Sequence, residues 1–367
     1  MLKVAILGAN GFIGSRTVEM LHLGGLAEVR PIVRNLSSLA RLSRFELDGR
    51  VANACDRASL KAAFEGCDVI VHAVAGDRKT ILGSLAPTYE AAQANGVKRL
   101  VYLSTASVHG QSPLPGTDEN SPLSDRQPLA YNNSKVQAER QLLKLRQQGS
   151  VELVMLRPGI VFGPRSYWTT SLADNLITGK AYLLNQGQGI CNSIYVDNLV
   201  HAIYLALTCS GADQQSFLVG DKERITWADF YRPIVEALGF ELSQVPFITY
   251  QGEVPAPDFN FKEQIEAVLA SKPSLAFLSL FPNRLRLAAR AALEALFKAP
   301  RPSPDEFSKP SPPVATLEMS LLQGCQYQFP QTKAQKLLGY EPIVSFPEGC
   351  RRSIAWLAFA GYPIILK

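Results

Sequence analysis

The sequence of 367 residues is poor in metal-binding side chains: it has six cysteines and four histidines, and no two of the cysteines stand in a C-x-x-C pair. The spacings by which structural zinc sites and dithiol redox pairs are read are therefore missing, and no metal is implied. Cys55, Cys67, Cys191, Cys209, Cys325 and Cys350 are read as reduced thiols, mostly packed as small apolar groups. Long apolar runs are also missing. The two that come nearest, Pro273 to Phe281 and Ile354 to Leu366, fall well short of the ~20 residues that a spanning helix needs. No single-sign charge block exists either: 37 Lys and Arg are scattered among 32 Asp and Glu for a net charge of +5, so nucleic acid is not implied. There is no Gly-x-Ser-x-Gly elbow of the serine hydrolases. A strand-like run opens at Leu2, from which we expect no signal peptide ahead of the fold and a cytoplasmic protein.

What is present is an alternation of short β-branched runs with helical patterns over the first 160 residues or so. Strands are expected at Lys3 to Leu7, Val29 to Val33, Val51 to Ala54, Val69 to Ala73, Leu100 to Ser104 and Leu153 to Leu156. Helices are expected at Phe12 to Leu23, Leu60 to Glu65, about Leu82 to Ala94 and Tyr131 to Leu145. Pro87 should kink the third of these or mark its first turn. This βαβ rhythm predicts an α/β fold, a doubly wound parallel sheet of Rossmann type. Later a helix at Val196 to Leu207 and a strand at Phe217 to Val219 return to the sheet.

The expected organisation is a dinucleotide-binding domain over 1–165, with returning segments at about 191–220. A smaller substrate lobe follows over 166–190 and 221–332, then C-terminal helices over 333–367. Tyr250 to Pro313 lacks the βαβ rhythm, and its end, Pro300 to Pro313, holds six prolines and should be an extended surface loop. Arg284, Arg286, Arg290 and Lys298 punctuate the apolar stretch Leu285 to Phe297. We read their stems as lying over the protein's own core, with a membrane surface as the alternative.

Directly after the first strand comes Gly8-Ala9-Asn10-Gly11-Phe12-Ile13-Gly14, leading into a helix. Absent Cβ atoms let such a turn close and let a pyrophosphate approach the backbone, while the helix N-terminus supplies N–H donors. The G-x-x-G-x-x-G spacing resembles that of the extended short-chain dehydrogenase/reductases, the superfamily of nucleotide-sugar epimerases and dehydratases. Further elements resemble that family in order: Cys55-Asp56, Val71 to Gly76, Ser104 to Gly110, Asp118 to Pro122, Tyr131-Asn132-Asn133-Ser134-Lys135, Leu156 to Pro164, Tyr195 to Asn198 and Phe217 to Gly220. The likeness covers about residues 2 to 240 and resumes weakly at Lys333 to Trp356.

The resemblance implies that Gly8, Asn10, Gly11, Phe12, Ile13 and Gly14 cradle a dinucleotide, and that Ala73, Ala75 and Pro158 border it. It also implies that Asp56 contacts the adenine, with a helix cap as the alternative. Arg34 ends the second strand where a NAD site would carry a carboxylate, so NADP(H) is favoured over NAD(H); a solvated Arg is the other reading.

Tyr131 and Lys135 lie one turn apart on one helix face. A neighbouring ammonium lowers a phenol's pKa, which fits Tyr131 to exchange a proton with a substrate hydroxyl. By resemblance Thr105 is the catalytic hydroxyl and Lys135 also holds the cofactor ribose. Ser107, Arg165 and Trp168 are candidate substrate contacts, and His109 is expected to pack in its loop.

Two departures narrow the chemistry. Cys191-Asn192-Ser193 stands where many nucleotide-sugar enzymes place an Arg, and Ala106-Ser107 stands where dehydratases place an Asp-Glu pair. The expectation is an NAD(P)-dependent oxidoreductase or epimerase of a sugar-like or other keto or hydroxy small molecule, acting as a homodimer. In that dimer Val136, Leu142, Leu143 and Leu145, not all of which can face the partner, would supply apolar surface together with the helix at 82–94. A nucleotide sensor without chemistry is the alternative function.

Overall fold

The computed structural model describes residues 1–249 and 313–365. Seven parallel strands form the main sheet in the order β10-β6-β5-β4-β1-β2-β3. They are β1 (Lys3–Leu7), β2 (Glu28–Val33), β3 (Arg50–Val51), β4 (Val69–His72), β5 (Arg99–Leu103), β6 (Glu152–Pro158) and β10 (Gln215–Val219). The register runs straight across the centre: Val4 pairs with Val29 on one side and Val69 on the other. The strands read as continuous apolar runs because both faces are covered.

Alternate residues serve the two faces. Val4 and Ile6 pack with Val18 and Leu21 of α1 (Phe12–Leu23) and with Leu199, Ile203 and Ala206 of α7 (Val196–Thr208). Ala5 and Leu7 join Leu60 of α2 (Arg57–Ala63), Tyr89 of α4 (Leu85–Ala94) and Leu142 of α5 (Ala130–Gln148). Fully burying such side chains contributes about 1.5 to 3 kcal/mol each.

A separate core gathers Phe162 of β7 (Ile160–Phe162), Leu172 of α6 (Tyr167–Ile177), Trp227 and Phe230 of α8 (Trp227–Ala237), and Phe346 and Leu357 of α10 (Phe346–Phe359). Two short parallel pairs brace this lobe: β7 with β9 (Ser193–Tyr195), and β8 (Leu183–Leu184) with β11 (Phe247–Ile248). Thr226 starts α8 with a reciprocal cap to Asp229. The short helix α9 (Leu317–Gln323) brings the chain back over this lobe, with Trp227 donating to the Leu322 carbonyl at 3.1 Å.

Several expectations need correction. The helix expected over Leu82 to Ala94 is two helices, α3 (Arg78–Gly83) and α4, divided at Ser84. The Ser84 hydroxyl bonds the buried His72 ring at 3.0 Å and donates to the Ile81 carbonyl at 3.0 Å. Pro87 falls in the first turn of α4, where its missing N–H costs nothing. The third strand is two residues long rather than four. Val136 and Leu142 are fully buried inside the chain and offer nothing to a partner, whereas Leu143 and Leu145 are half-buried.

Most of Tyr250 to Pro313, including Leu285 to Phe297, lies outside the described residues. Among the described residues no helix is long and apolar enough to cross a membrane.

Candidate active site

At the carboxyl end of the sheet, β1 and β4 are neighbours whose chains leave in different directions, which opens a crevice. Gly8 has φ +91°, and a Cβ there would lie 2.7 Å from the Ala73 carbonyl oxygen. A Cβ on Gly14 would lie 2.3 Å from the Gly8 oxygen. The loop is thus pressed against β4 and α1 against the loop, which only glycine permits. A cavity of about 350 Å³ results, lined by Gly8, Asn10, Gly11, Arg34, Ala73 and Ala75. A wall of backbone that side chains would otherwise fill, beside the start of α1, fits the pyrophosphate of a dinucleotide.

Phe12, Ile13 and Gly14 form the first turn of α1. The Asp56 carboxylate caps α2, accepting from the Ala58 N–H at 3.1 Å, and Asn53, Ala54 and Cys55 just before it line the cavity. Arg41, which the sequence did not single out, donates to the Asn10 carbonyl at 3.4 Å.

Thr105 follows β5, and its hydroxyl accepts from the Ser107 N–H at 3.2 Å as the chain turns. Tyr131 and Lys135 sit at the start of α5. The buried Lys135 ammonium donates to the Leu103 carbonyl at 2.8 Å and the Tyr102 hydroxyl at 3.2 Å, and lies 6.0 Å from the Tyr131 ring centre. Burial pulls it down to about 8, with Glu139 opposing.

Tyr131 is pushed up to about 12 by desolvation first and then by Glu318, with the neighbouring Thr105 hydroxyl working against both. Since 46% of Tyr131's surface stays open, this reflects crowding around the ring rather than a dry pocket. His72 behind Tyr102 is held down at about 3 by burial and then by Lys135, so its ring is neutral. Pro158 is buried at the end of β6.

One turn beyond Lys135, Glu139 is clamped by Arg157 of β6 at 3.0 and 2.6 Å and receives the Ser104 hydroxyl at 2.5 Å. This buried pair ties α5 to β5 and β6 and so fixes Tyr131 and Lys135 relative to Thr105. His109 rests 3.1 Å from Arg157, and its value falls to about 4 through burial and then the guanidinium. Its ring packs 5.8 Å from that of Phe329.

A cleft of about 510 Å³ is walled by Trp168, Tyr182, Trp227, Phe230, Tyr231 and Met319, with Glu318 as its carboxylate. Trp168 and Trp227 are 6.0 Å apart, and burial raises the Glu318 carboxyl. The three candidate substrate residues are not together: Trp168 lines this cleft, Ser107 stays beside Thr105, and Arg165 turns to bond the Ser15 hydroxyl at 2.8 Å. Sequence reasoning missed Tyr102, Glu318 and the aromatics of α8. Only the last left a signal, the Trp-x-x-Phe-Tyr pattern from Trp227 to Tyr231.

Fold and crevice together define a dinucleotide-binding enzyme. The family model described as the NAD dependent epimerase/dehydratase family matches residues 4–220, and the chain belongs to that family. It is similar to the 3beta-hydroxysteroid-dehydrogenase/decarboxylase isoform 1 of Arabidopsis thaliana, at 24% identity over 95% of this chain and 78% of the relative. It is also similar to a UDP-glucose 4-epimerase of Vibrio cholerae, at 27% identity over 66% of this chain and 77% of that one. Among solved structures, a dTDP-glucose 4,6-dehydratase from Bacillus anthracis in complex with NAD shares the fold, with a TM-score of 0.69 at 16% identity and 98% of each chain covered. The protein is an NAD-dependent oxidoreductase or epimerase.

Proposed function

We propose that the chain interconverts a hydroxyl and a carbonyl on a small molecule, with Tyr131 as proton acceptor and donor and with NADP(H) preferred. The observation that carries this reading is the meeting of Tyr131, Lys135 and Thr105 at one end of the sheet, braced by the Arg157–Glu139 pair. When bound, the nicotinamide ring supplies or accepts hydride. Thr105 hydrogen-bonds the substrate oxygen and Tyr131 takes or returns its proton. Lys135 keeps its charge at neutral pH, since its value lies near 8, and a positive charge 6.0 Å from the ring works against the desolvation that pushes Tyr131 up in the unliganded chain. Arg34 borders the cavity and is exposed, free to fork onto a 2′-phosphate.

The substrate lies in the aromatic cleft, whose Trp168, Trp227 and Phe230 suit a flat, apolar-bodied hydroxy or keto compound. Cys191 is buried and Asn192 is spent on the Tyr327 carbonyl at 3.0 Å, so neither replaces an Arg for a sugar diphosphate. The assembly is a homodimer through α4 and α5. A panel of hydroxysteroid-like polycyclic alcohols and of UDP-sugars, followed by reduced-nicotinamide absorbance, tests the reading. Turnover confined to the polycyclic alcohols supports it, and turnover confined to UDP-sugars refutes the substrate part.

A further inference from the structure

A third cavity, of about 360 Å³, shares no lining residue with the dinucleotide cavity or the aromatic cleft. Four guanidiniums line it, those of Arg16, Arg44, Arg165 and Arg352. Three of them are spoken for. Arg16 forks onto Asp197 at 2.6 and 2.8 Å, Arg352 reaches Asp197 at 3.1 Å and Glu348 at 2.7 Å, and Arg44 reaches Glu19 at 2.9 Å.

Arg165 is the exception. Its one partner is the neutral Ser15 hydroxyl, and its Nε is buried with no hydrogen-bond partner among the described residues. The residue also holds φ at +70°, a left-handed conformation that arginine rarely adopts and that persists where function demands it. Burial, and then repulsion by Arg41, lower its pKa, with Glu19 opposing and Arg44 adding to the repulsion.

A buried donor left unpaired is costly, and no carboxylate among the described residues pairs with the Arg165 charge that lines the cavity. Arg351 shares Glu348 with Arg352, so five guanidiniums stand against the three carboxylates Glu19, Asp197 and Glu348 among the described residues, an excess of two positive charges. Two positive charges match a phosphate monoester dianion, and Arg is the side chain that forks onto phosphate oxygens. Trp356 and Phe359 of α10 add an apolar wall.

We propose that this cavity binds an organic phosphate, its oxyanion held by Arg165 with Arg44 at the mouth, and its apolar body against Trp356 and Phe359. The site is distinct from the Tyr131 chemistry and does not rest on it. Phosphate oxygens could also come from the dinucleotide's own pyrophosphate, and the experiment separates the two sources.

The probe is phenyl phosphate, titrated calorimetrically into the full chain first without NADP and then with NADP held at saturation. The expected result is binding to the wild type that Arg165→Gly weakens at least tenfold, with NADP affinity unchanged within twofold. Because glycine suits φ +70°, that variant should melt no lower than the wild type. Arg44→Gln, at an exposed position, should weaken phenyl phosphate several-fold and guards against misfolding of the first variant. Three results would overturn the proposal: no binding at millimolar phenyl phosphate, unchanged binding in Arg165→Gly, or binding that disappears once NADP saturates, which would assign the oxyanion site to the dinucleotide.

Discussion

Lys135 holds an ammonium where water cannot reach it, and Lys135→Met should expose what that costs. Its value drops from the ordinary 10.5 to about 8. At about 1.4 kcal/mol per unit, the charged form is disfavoured by about 3 kcal/mol in the folded chain. The sign follows from proton counting. Between pH 8 and 10.5 the unfolded chain keeps the proton and the folded chain releases it, so wild-type stability rises with pH across that window; below pH 8 the full penalty stands.

Methionine removes the penalty and also removes the bonds to Tyr102 and Leu103, each worth about 1.5 to 3 kcal/mol as charge-assisted contacts. The two changes are of similar size and opposite sign, so the variant should fold at pH 7. Urea unfolding of both proteins from pH 7 to 10 isolates the effect, because every other titrating group is common to the two. The stability difference should move toward the wild type by about 2.5 kcal/mol over that range. A flat difference would refute the buried-ammonium account.

Much of the site was legible because it is local. The first strand, the three glycines and the following helix are contiguous, and Tyr131 and Lys135 share a face because four residues make about one turn. What the sequence hid depends on contacts made across the chain. The break at Ser84 comes from His72 on another strand. Glu318 reaches the surroundings of Tyr131 from far along the sequence, with no nearby residue to announce it. Asp56 follows the local rule for helix caps, which the sequence states directly. Arg165 points toward Ser15 because of a left-handed backbone that no residue type encodes reliably. The apolar residues of α5 were read as surface because periodicity marks an apolar face without saying what covers it. For Val136 and Leu142 the cover is the chain itself.

Other outcomes follow from the same geometry. Arg34→Glu should weaken NADP about 10- to 100-fold, as expected when a charge-assisted contact becomes repulsion, and should spare NAD; calorimetry on wild type showing tighter NAD than NADP would end the Arg34 reading. Arg157→Met strands the Glu139 carboxylate in the interior and should cost about 3 to 5 kcal/mol in denaturant unfolding, whereas a loss under 1 kcal/mol would mean that the pair does not anchor α5.

The central claim is that Tyr131 moves the proton, and Tyr131→Phe tests it most directly. The substitution deletes one oxygen from a partly open ring, so the dinucleotide cavity, which Tyr131 does not line, should stay intact. Stopped-flow absorbance of the reduced nicotinamide, with an accepted substrate under single-turnover conditions, reports the hydride step. The account predicts nucleotide affinity within a few-fold of wild type and hydride transfer slower by ~10² to 10⁴. Hydride transfer at the wild-type rate in Tyr131→Phe would contradict it.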